Sequence, residues 1–174
     1  ARLERWVVRL ALAATLVPLV VSAATLTWSV GDAYHPTGDL ASTELVTRDV
    51  GRHAVVLGPY SRDGWHHLGP LSYYLLAGPY RLLGSTSTAM GVGALLVNGL
   101  AVAGMAVVAR RRGGAPVALL TLLAVGLVIR ALGPDVVRLP WNPYLTVLPY
   151  GLMVFLTWAL ACRDRWALPP AVLV

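Results

Sequence analysis

The chain has no lysine; all fourteen of its permanently basic residues are arginine. Mechanisms that need a Schiff-base or phosphate-gripping lysine are therefore excluded. A single cysteine, Cys162, excludes an internal disulfide and a cysteine metal site. Charge is scarce at 13%, against 57% hydrophobic residues and a mean hydropathy of +0.67, which excludes an ordinary soluble domain. No Gly-x-x-x-x-Gly-Lys, Gly-x-Ser-x-Gly or His-Glu-x-x-His run occurs, and there is no internal repeat or low-complexity tract. The formal charge of +6 does not indicate nucleic acid, because in a membrane protein positive charge sets orientation and meets lipid headgroups. Arginine without lysine, amid abundant Ala, Val, Leu and Gly, fits a GC-rich bacterial genome.

What the chain has instead is long apolar runs. Four, at about 6–30, 88–109, 115–132 and 144–161, approach the roughly 20 residues that cross a bilayer, and a fifth begins at Trp166. The first could be read as a signal peptide, since Arg2 and Arg5 precede it and Ser22-Ala23-Ala24 lies near its end. It exceeds the usual core of about 7–15 residues, and Trp6 and Trp28 bracket it like interfacial anchors, so a retained span is expected. A start without Met and an end inside an apolar run give the expectation of an N-terminal portion of something longer. Gly113-Gly114 reads as a tight turn, and Gly91, Gly93, Gly99 and Gly104 suit close helix packing.

The stretch 68–83 decides the topology. If it crossed the membrane, Arg110-Arg111-Arg112 would face outward; if it does not, Arg2, Arg5, Arg9, Arg110–Arg112, Arg163 and Arg165 share one side. The positive-inside rule selects the second arrangement, and the stretch is short and interrupted by Pro79. The expectation is an all-α, multi-span helical membrane protein in the bacterial plasma membrane. Its N-terminus is cytoplasmic, its large first loop, 31–87, is extracytoplasmic, and that loop carries juxtamembrane helices at about 39–50 and 68–83. The short loop 133–143 returns to the same outer side.

The outer loop concentrates the chemistry. All four histidines (His35, His53, His66, His67) and five of the eight acidic residues lie in it. The helix at 39–50 would turn Leu40, Ala41, Leu45, Val46 and Val50 inward, pair Glu44 with Arg48, and use Asp39 as its N-cap. Asp39 as a carboxylate at a cavity edge could equally take a proton from an attacking hydroxyl. Arg48, Arg52 and Arg62 are candidates for gripping phosphate, with His66 and His67 as further donors, although single arginines there also suit headgroup contact. Adjacent histidines on a helix diverge by about 100°, which argues against shared metal ligation. In the second outer loop Trp141 and Tyr144 can stack on a sugar or anchor at the interface, and because the loop shares a side with Asp39, it could line the same cavity, with Asn142 as a further substrate-binding candidate. Arg130 is expected to pair with Asp135 or to reach a lipid phosphate.

A carboxylate after the first span, a helical stretch, His67-Leu68-Gly69-Pro70-Leu71 opening a second surface helix, and Tyr73-Tyr74-Leu75-Leu76 through Arg81-Leu82-Leu83-Gly84-Ser85 before a Gly/Ala-rich span together resemble the GT-C superfamily. These are glycosyltransferases that use polyprenyl-phosphate sugars, and the pattern is most similar to protein O-mannosyltransferases and lipid A aminoarabinose transferases. The resemblance covers about residues 6–110. It implies that Asp39 is the base activating an acceptor hydroxyl, that the 67–71 turn and nearby arginines lie at the donor phosphate, and that transfer proceeds by direct displacement with inversion. The chain departs from the family in having Leu40, not an acidic residue, after Asp39, and Leu-Gly-Pro-Leu for Pro-Pro-Leu; Asp32 is a competing carboxylate. The partners implied are the bilayer, a polyprenyl-phosphate-linked sugar and an acceptor hydroxyl on glycan or protein. No cofactor is required by the sequence, and a divalent cation is compatible with it. The rival expectation is a non-catalytic membrane subunit or a lipid or solute transporter whose outer loop docks a partner.

Overall fold

A computed structural model describes residues 2–29, 35–67 and 69–173, and among these eight α-helices and no strand occur. Three helical stretches are long and apolar enough to cross a membrane. They are α1 (Arg2–Ser29), α4 (Ser87–Leu132), and the stretch Asn142–Ala161 made of the short α6 (Asn142–Leu145) and α7 (Val147–Ala161).

Helix α4 has 46 residues, which if straight would measure about 69 Å, more than twice a hydrocarbon core of about 30 Å. It is not straight, because Gly114 leaves the helical region at φ 72°, ψ −166°. Asn98 Nδ2 donates to Val137 O at 3.0 Å. A straight helix would carry Leu132 about 51 Å beyond Asn98, and the five residues to Val137 can recover at most about 18 Å. The half after Gly114 therefore runs back along the half before it, as the expected spans 88–109 and 115–132 require. A Cβ on Gly113 would lie 2.3 Å from Val117 Cγ2, so the turn needs both glycines, each for its own reason.

The first half of α4 is the centre of the bundle. Gly93 faces Leu76 and Pro79, Gly99 faces Leu19 of α1, and Gly104 faces Leu152 of α7. Gly93 and Gly104 thus serve close packing as expected, toward α3 and α7, while at Gly99 an added Cβ would meet nothing nearer than Leu19 at 4.0 Å. Val8, Ala109 and Ala118 cluster at one end of the bundle, where Arg112 pairs with Asp164 at 3.1 Å and the Arg111 guanidinium lies 4.6 Å over the Trp166 ring. Where a fifth span was expected, the chain forms a 3-10 turn, Arg165–Ala167, and the short α8 (Leu168–Leu173), with Ala167 buried against Val108, Leu156 and Ala159. The opposite end carries the described part of the polar loop, with α2 (Gly38–Asp49) and α3 (Leu71–Leu82), and the 133–141 connection with α5 (Asp135–Arg138).

Helix α3 is 12 residues, about 18 Å, too short to span. It lies across the start of α4, with Leu76 and Tyr80 buried beside Ala89, Met90 and Ala94. Pro79 does not interrupt it: the helix continues to Leu82, and Gly93 leaves room for the proline ring. Helix α2 differs from expectation on its buried side. Thr43 and Thr47 are buried and Leu45 is half-exposed. The threonine hydroxyls are satisfied by donating back to Asp39 O (2.8 Å) and Thr43 O (2.7 Å), so two short polar residues pack where a leucine was expected. Glu44 accepts a hydrogen bond from Tyr80 Oη at 3.0 Å rather than pairing with Arg48. Asp135 pairs with Arg138 at 2.7 Å rather than with Arg130, which is exposed.

Candidate functional site

Helix α2 begins one residue before Asp39, with Thr37 at the N-cap, so Asp39 is not the cap. Its carboxylate sits in the first turn, where the positive end of the helix dipole favours a negative charge. There Oδ2 accepts a hydrogen bond from Trp141 Nε1 at 3.1 Å, across 102 positions of sequence. Trp141 is held from its other side by Tyr144, edge to face at 5.2 Å. The backbone behind Trp141 is fixed by burial of Val136 and Val137 and by the bond from Asn98, so the second loop is anchored on α4.

Residues 50–67 form no helix, and 58–67 fold as an irregular hairpin. Gly58 N donates to His67 O at 3.1 Å, His67 N to Pro59 O at 2.9 Å, and Ser61 N to Trp65 O at 2.7 Å. Gly64, at φ 87°, closes the tip, and a Cβ on Gly58 would lie 2.5 Å from His67 O. In this extended frame neighbouring side chains alternate, so the expected helical divergence of His66 and His67 does not apply. His66 Nδ1 lies 3.0 Å from Gly58 O and its ring meets Tyr60 edge to face, a bracing role within the loop. Two contacts tie the segment to α3: Tyr74 Oη donates to Val55 O at 3.1 Å, and the Arg81 guanidinium donates to Val50 O.

Between α2, the hairpin and the second loop is a cavity of about 540 Å³. It brings together five of the eight expected site residues: Asp39, Arg62, His67, Trp141 and Asn142. The other three lie elsewhere. His66 braces the hairpin. Arg48 lines a separate recess with Ala41 and Leu45 on another face of α2, and the charges of Arg48 and Arg52 bear on Tyr80. Four helical residues past Glu44, Arg48 cannot share the face of Asp39. Asp32 lies outside the described residues.

The sequence reading missed the cavity's aromatic and hydroxyl walls, Tyr60, Tyr73, Ser42, Thr43 and Ser61. Ser42 and Thr43 follow Asp39 by three and four positions, a same-face signal that was available. Burial pushes the Tyr73 hydroxyl above its ordinary pKa, so it is a neutral donor at the cavity wall. Tyr80, on the other side of α2, is raised by burial first and then by its bond to Glu44 and that residue's charge, with Arg48 and Arg52 opposing in part. Comparison with protein-family models, curated proteins and solved structures finds no match. The chemistry must be argued from the cavity itself. It offers a carboxylate acceptor, a guanidinium, an imidazole, an amide and several aromatic faces, a set suited to a polyhydroxylated or phosphorylated ligand. Among the described residues no three His, Cys, Asp or Glu side chains gather as a metal cluster would.

Proposed function

We propose that this chain is part of a GT-C-like membrane glycosyltransferase that moves a sugar from a polyprenyl-phosphate donor to an acceptor hydroxyl on the outer face of a bacterial plasma membrane. The observation that carries the reading is the convergence of Asp39, Arg62, His67, Trp141 and Asn142 on one cavity from two loops at the end of the bundle away from the arginine cluster. The positive-inside rule assigns that arginine end to the cytoplasm and the cavity to the outside. In the proposed reaction the acceptor hydroxyl gives its proton to the Asp39 carboxylate. Its oxygen bonds to the anomeric carbon from the face opposite the donor phosphate. The bond from that carbon to the phosphate oxygen breaks, and the electron pair leaves with the phosphate, which Arg62 neutralises and to which His67 can donate a hydrogen bond. Trp141 presents its ring to the sugar and orients the carboxylate through Nε1.

Asp39→Asn tests this directly, because the amide oxygen can still accept from Trp141 and the fold is preserved. Transfer from a polyprenyl-phosphate sugar should fall by roughly 10²–10⁴-fold, the range for loss of a general base. Near-normal turnover in a folded Asp39→Asn protein would remove Asp39 as the base and favour a loop that docks a partner without catalysis.

A further inference from the structure

At the arginine end of the bundle one guanidinium is partly buried without a counter-charge. Arg110 Nη1 is out of reach of solvent and has no hydrogen-bond partner among the described residues. Its sequence neighbours are engaged: Arg111 lies over the Trp166 ring and Arg112 pairs with Asp164. Neither Asp164 nor Glu4, the carboxylates of this end, hydrogen-bonds Arg110 Nη1. On α4, Gly99, Ala103, Ala106 and Arg110 recur every three or four residues, and Gly99 faces Leu19, so Arg110 lies on the α1 side. On α1, Arg5 and Arg9 extend the line of Leu12, Leu16 and Leu19, which pack on the core. Leu19 beside Gly99, and Val8 in one cluster with Ala109, fix an antiparallel register that sets Arg110 level with Val7 and Val8. Arg5 and Arg9, both exposed, therefore stand within about one turn of it, and the Arg9 guanidinium is 5.8 Å from the Trp6 ring. Water could satisfy a lone buried N–H, but it does not offset three like charges held this close; an anion does both.

We infer that Arg110, Arg5 and Arg9 form a binding site for the headgroup phosphate of an acidic glycerophospholipid, in the leaflet at the arginine end. Leu3, Trp6 and Leu10 leave exposed apolar surface on α1 at the same level, so the notch opens beside acyl chains, where a lipid headgroup supplies the phosphate. A guanidinium fork matches two phosphate oxygens at once, which gives Arg110 Nη1 the acceptor it lacks. An acidic headgroup is favoured over a zwitterionic one because the latter brings an ammonium group that three arginines repel. Eight arginines stand at this end against two carboxylates, so the chain itself does not supply the balance. A bound headgroup would bridge α1 and α4, and the packing of the first span would then depend on acidic lipid. The site is at the opposite end from Asp39 and stands independently of the transferase reading.

The test is native mass spectrometry of the full chain released from detergent, titrated with phosphatidylglycerol and, separately, with phosphatidylcholine of the same acyl chains. One phosphatidylglycerol should bind with an apparent Kd about tenfold or more below that of phosphatidylcholine. Arg110→Gln should weaken that binding about tenfold or more, the effect of losing a charge-assisted pair of hydrogen bonds. Arg165→Gln removes the same charge from the α7 side of the same end and should leave the Kd within about twofold. If Arg110→Gln does not fold, Arg9→Gln, from the exposed α1 wall, should cost about fivefold. Phosphatidylglycerol should also raise the melting temperature of the wild-type chain and not that of Arg110→Gln. Equal affinity for the two lipids, or equal losses in Arg110→Gln and Arg165→Gln, would reduce the site to a diffuse basic surface and overturn the inference. So would displacement of the lipid by millimolar inorganic phosphate, or a dimer that forms without lipid and is abolished by Arg110→Gln.

Discussion

The turn at 113–114 makes two substitutions fail for different physical reasons, and the difference can be measured. Gly114 holds φ 72°, ψ −166°, a region that essentially only glycine occupies, so Gly114→Ala should cost about 1–3 kcal/mol through the backbone itself. Gly113→Ala should cost a similar amount, about 1–3 kcal/mol, by overpacking, since its Cβ would stand 2.3 Å from Val117 Cγ2 and 2.6 Å from Val117 Cβ. Val117→Gly removes both of those atoms at a cost of about 0.5 kcal/mol in helix propensity, plus the lost packing of Val117 on Val8, Ala109 and Ala118. A double-mutant cycle in mixed micelles, followed by tryptophan emission during SDS titration, should then show a Gly113–Val117 coupling of 1 kcal/mol or more. Gly114→Ala with Val117→Gly should be additive within about 0.5 kcal/mol. A loss of about 2 kcal/mol lowers the folded-to-unfolded ratio roughly 30-fold, well above measurement error. An unchanged Gly114→Ala protein, or rescue of Gly114→Ala by Val117→Gly, would refute the strained turn.

Other expectations follow from the loop end. Tyr73 and Tyr80 have pKa values raised in the folded state, so their contribution to stability is full below pH 10 and is lost as pH rises through the folded values. Melting temperatures measured from pH 9 to 11 should therefore drop, and Tyr73→Phe with Tyr80→Phe should flatten the slope. Arg62→Gln should raise the donor KM tenfold or more while Arg48→Gln leaves it unchanged, because only Arg62 lines the cavity; equal effects would refute that assignment. Asn98→Leu removes the donor to Val137 O and should cost about 1 kcal/mol, with faster amide exchange across 136–141 as the local readout.

Much of the architecture was legible because it follows from runs of apolar residues and the placement of arginines. Hydrophobic length located three helical stretches long and apolar enough to cross a membrane, and α3, expected as a surface helix over 68–83, is a 12-residue helix too short to do so. What could not be read was side-chain direction within the loop. The register of α2 was off by one residue at its start and its inner face was assigned by hydrophobicity, so Thr43 and Thr47 were overlooked; their hydroxyls bond to the helix's own carbonyls and hide their polarity. Helical divergence was expected of His66 and His67, just before the expected helix 68–83, but the hairpin over 58–67, with Gly64 at its tip, imposes alternation there. The meeting of Asp39 with Trp141 spans 102 positions and depends on the α4 hairpin returning the second loop to the first. The topology placed Trp141 on the same side as Asp39, but no local pattern encodes the hydrogen bond between them.

The distribution of charge bears on how such a site would select its ligand. Eight arginines stand at the cluster end against Glu4 and Asp164, so the whole formal charge of +6 belongs to that end, and the remaining six arginines and six acids fall within residues 31–138. The loop end is therefore balanced as a whole and has no general attraction for anions. Asp135 is taken by Arg138, Glu44 by Tyr80, and Asp39 by the indole of Trp141, while Arg62 makes no ion pair among the described residues. An anion entering the cavity meets one local cation on the hairpin and an oriented carboxylate on α2, not a diffuse basic surface. Because charges more than about 10 Å apart are screened in ordinary salt, the distant arginine cluster adds little to that contact. Selectivity would then lie in the spacing between Arg62 and Asp39, which the hairpin and the Trp141 anchor set, and a ligand with one anionic group and a hydroxyl held apart from it satisfies both.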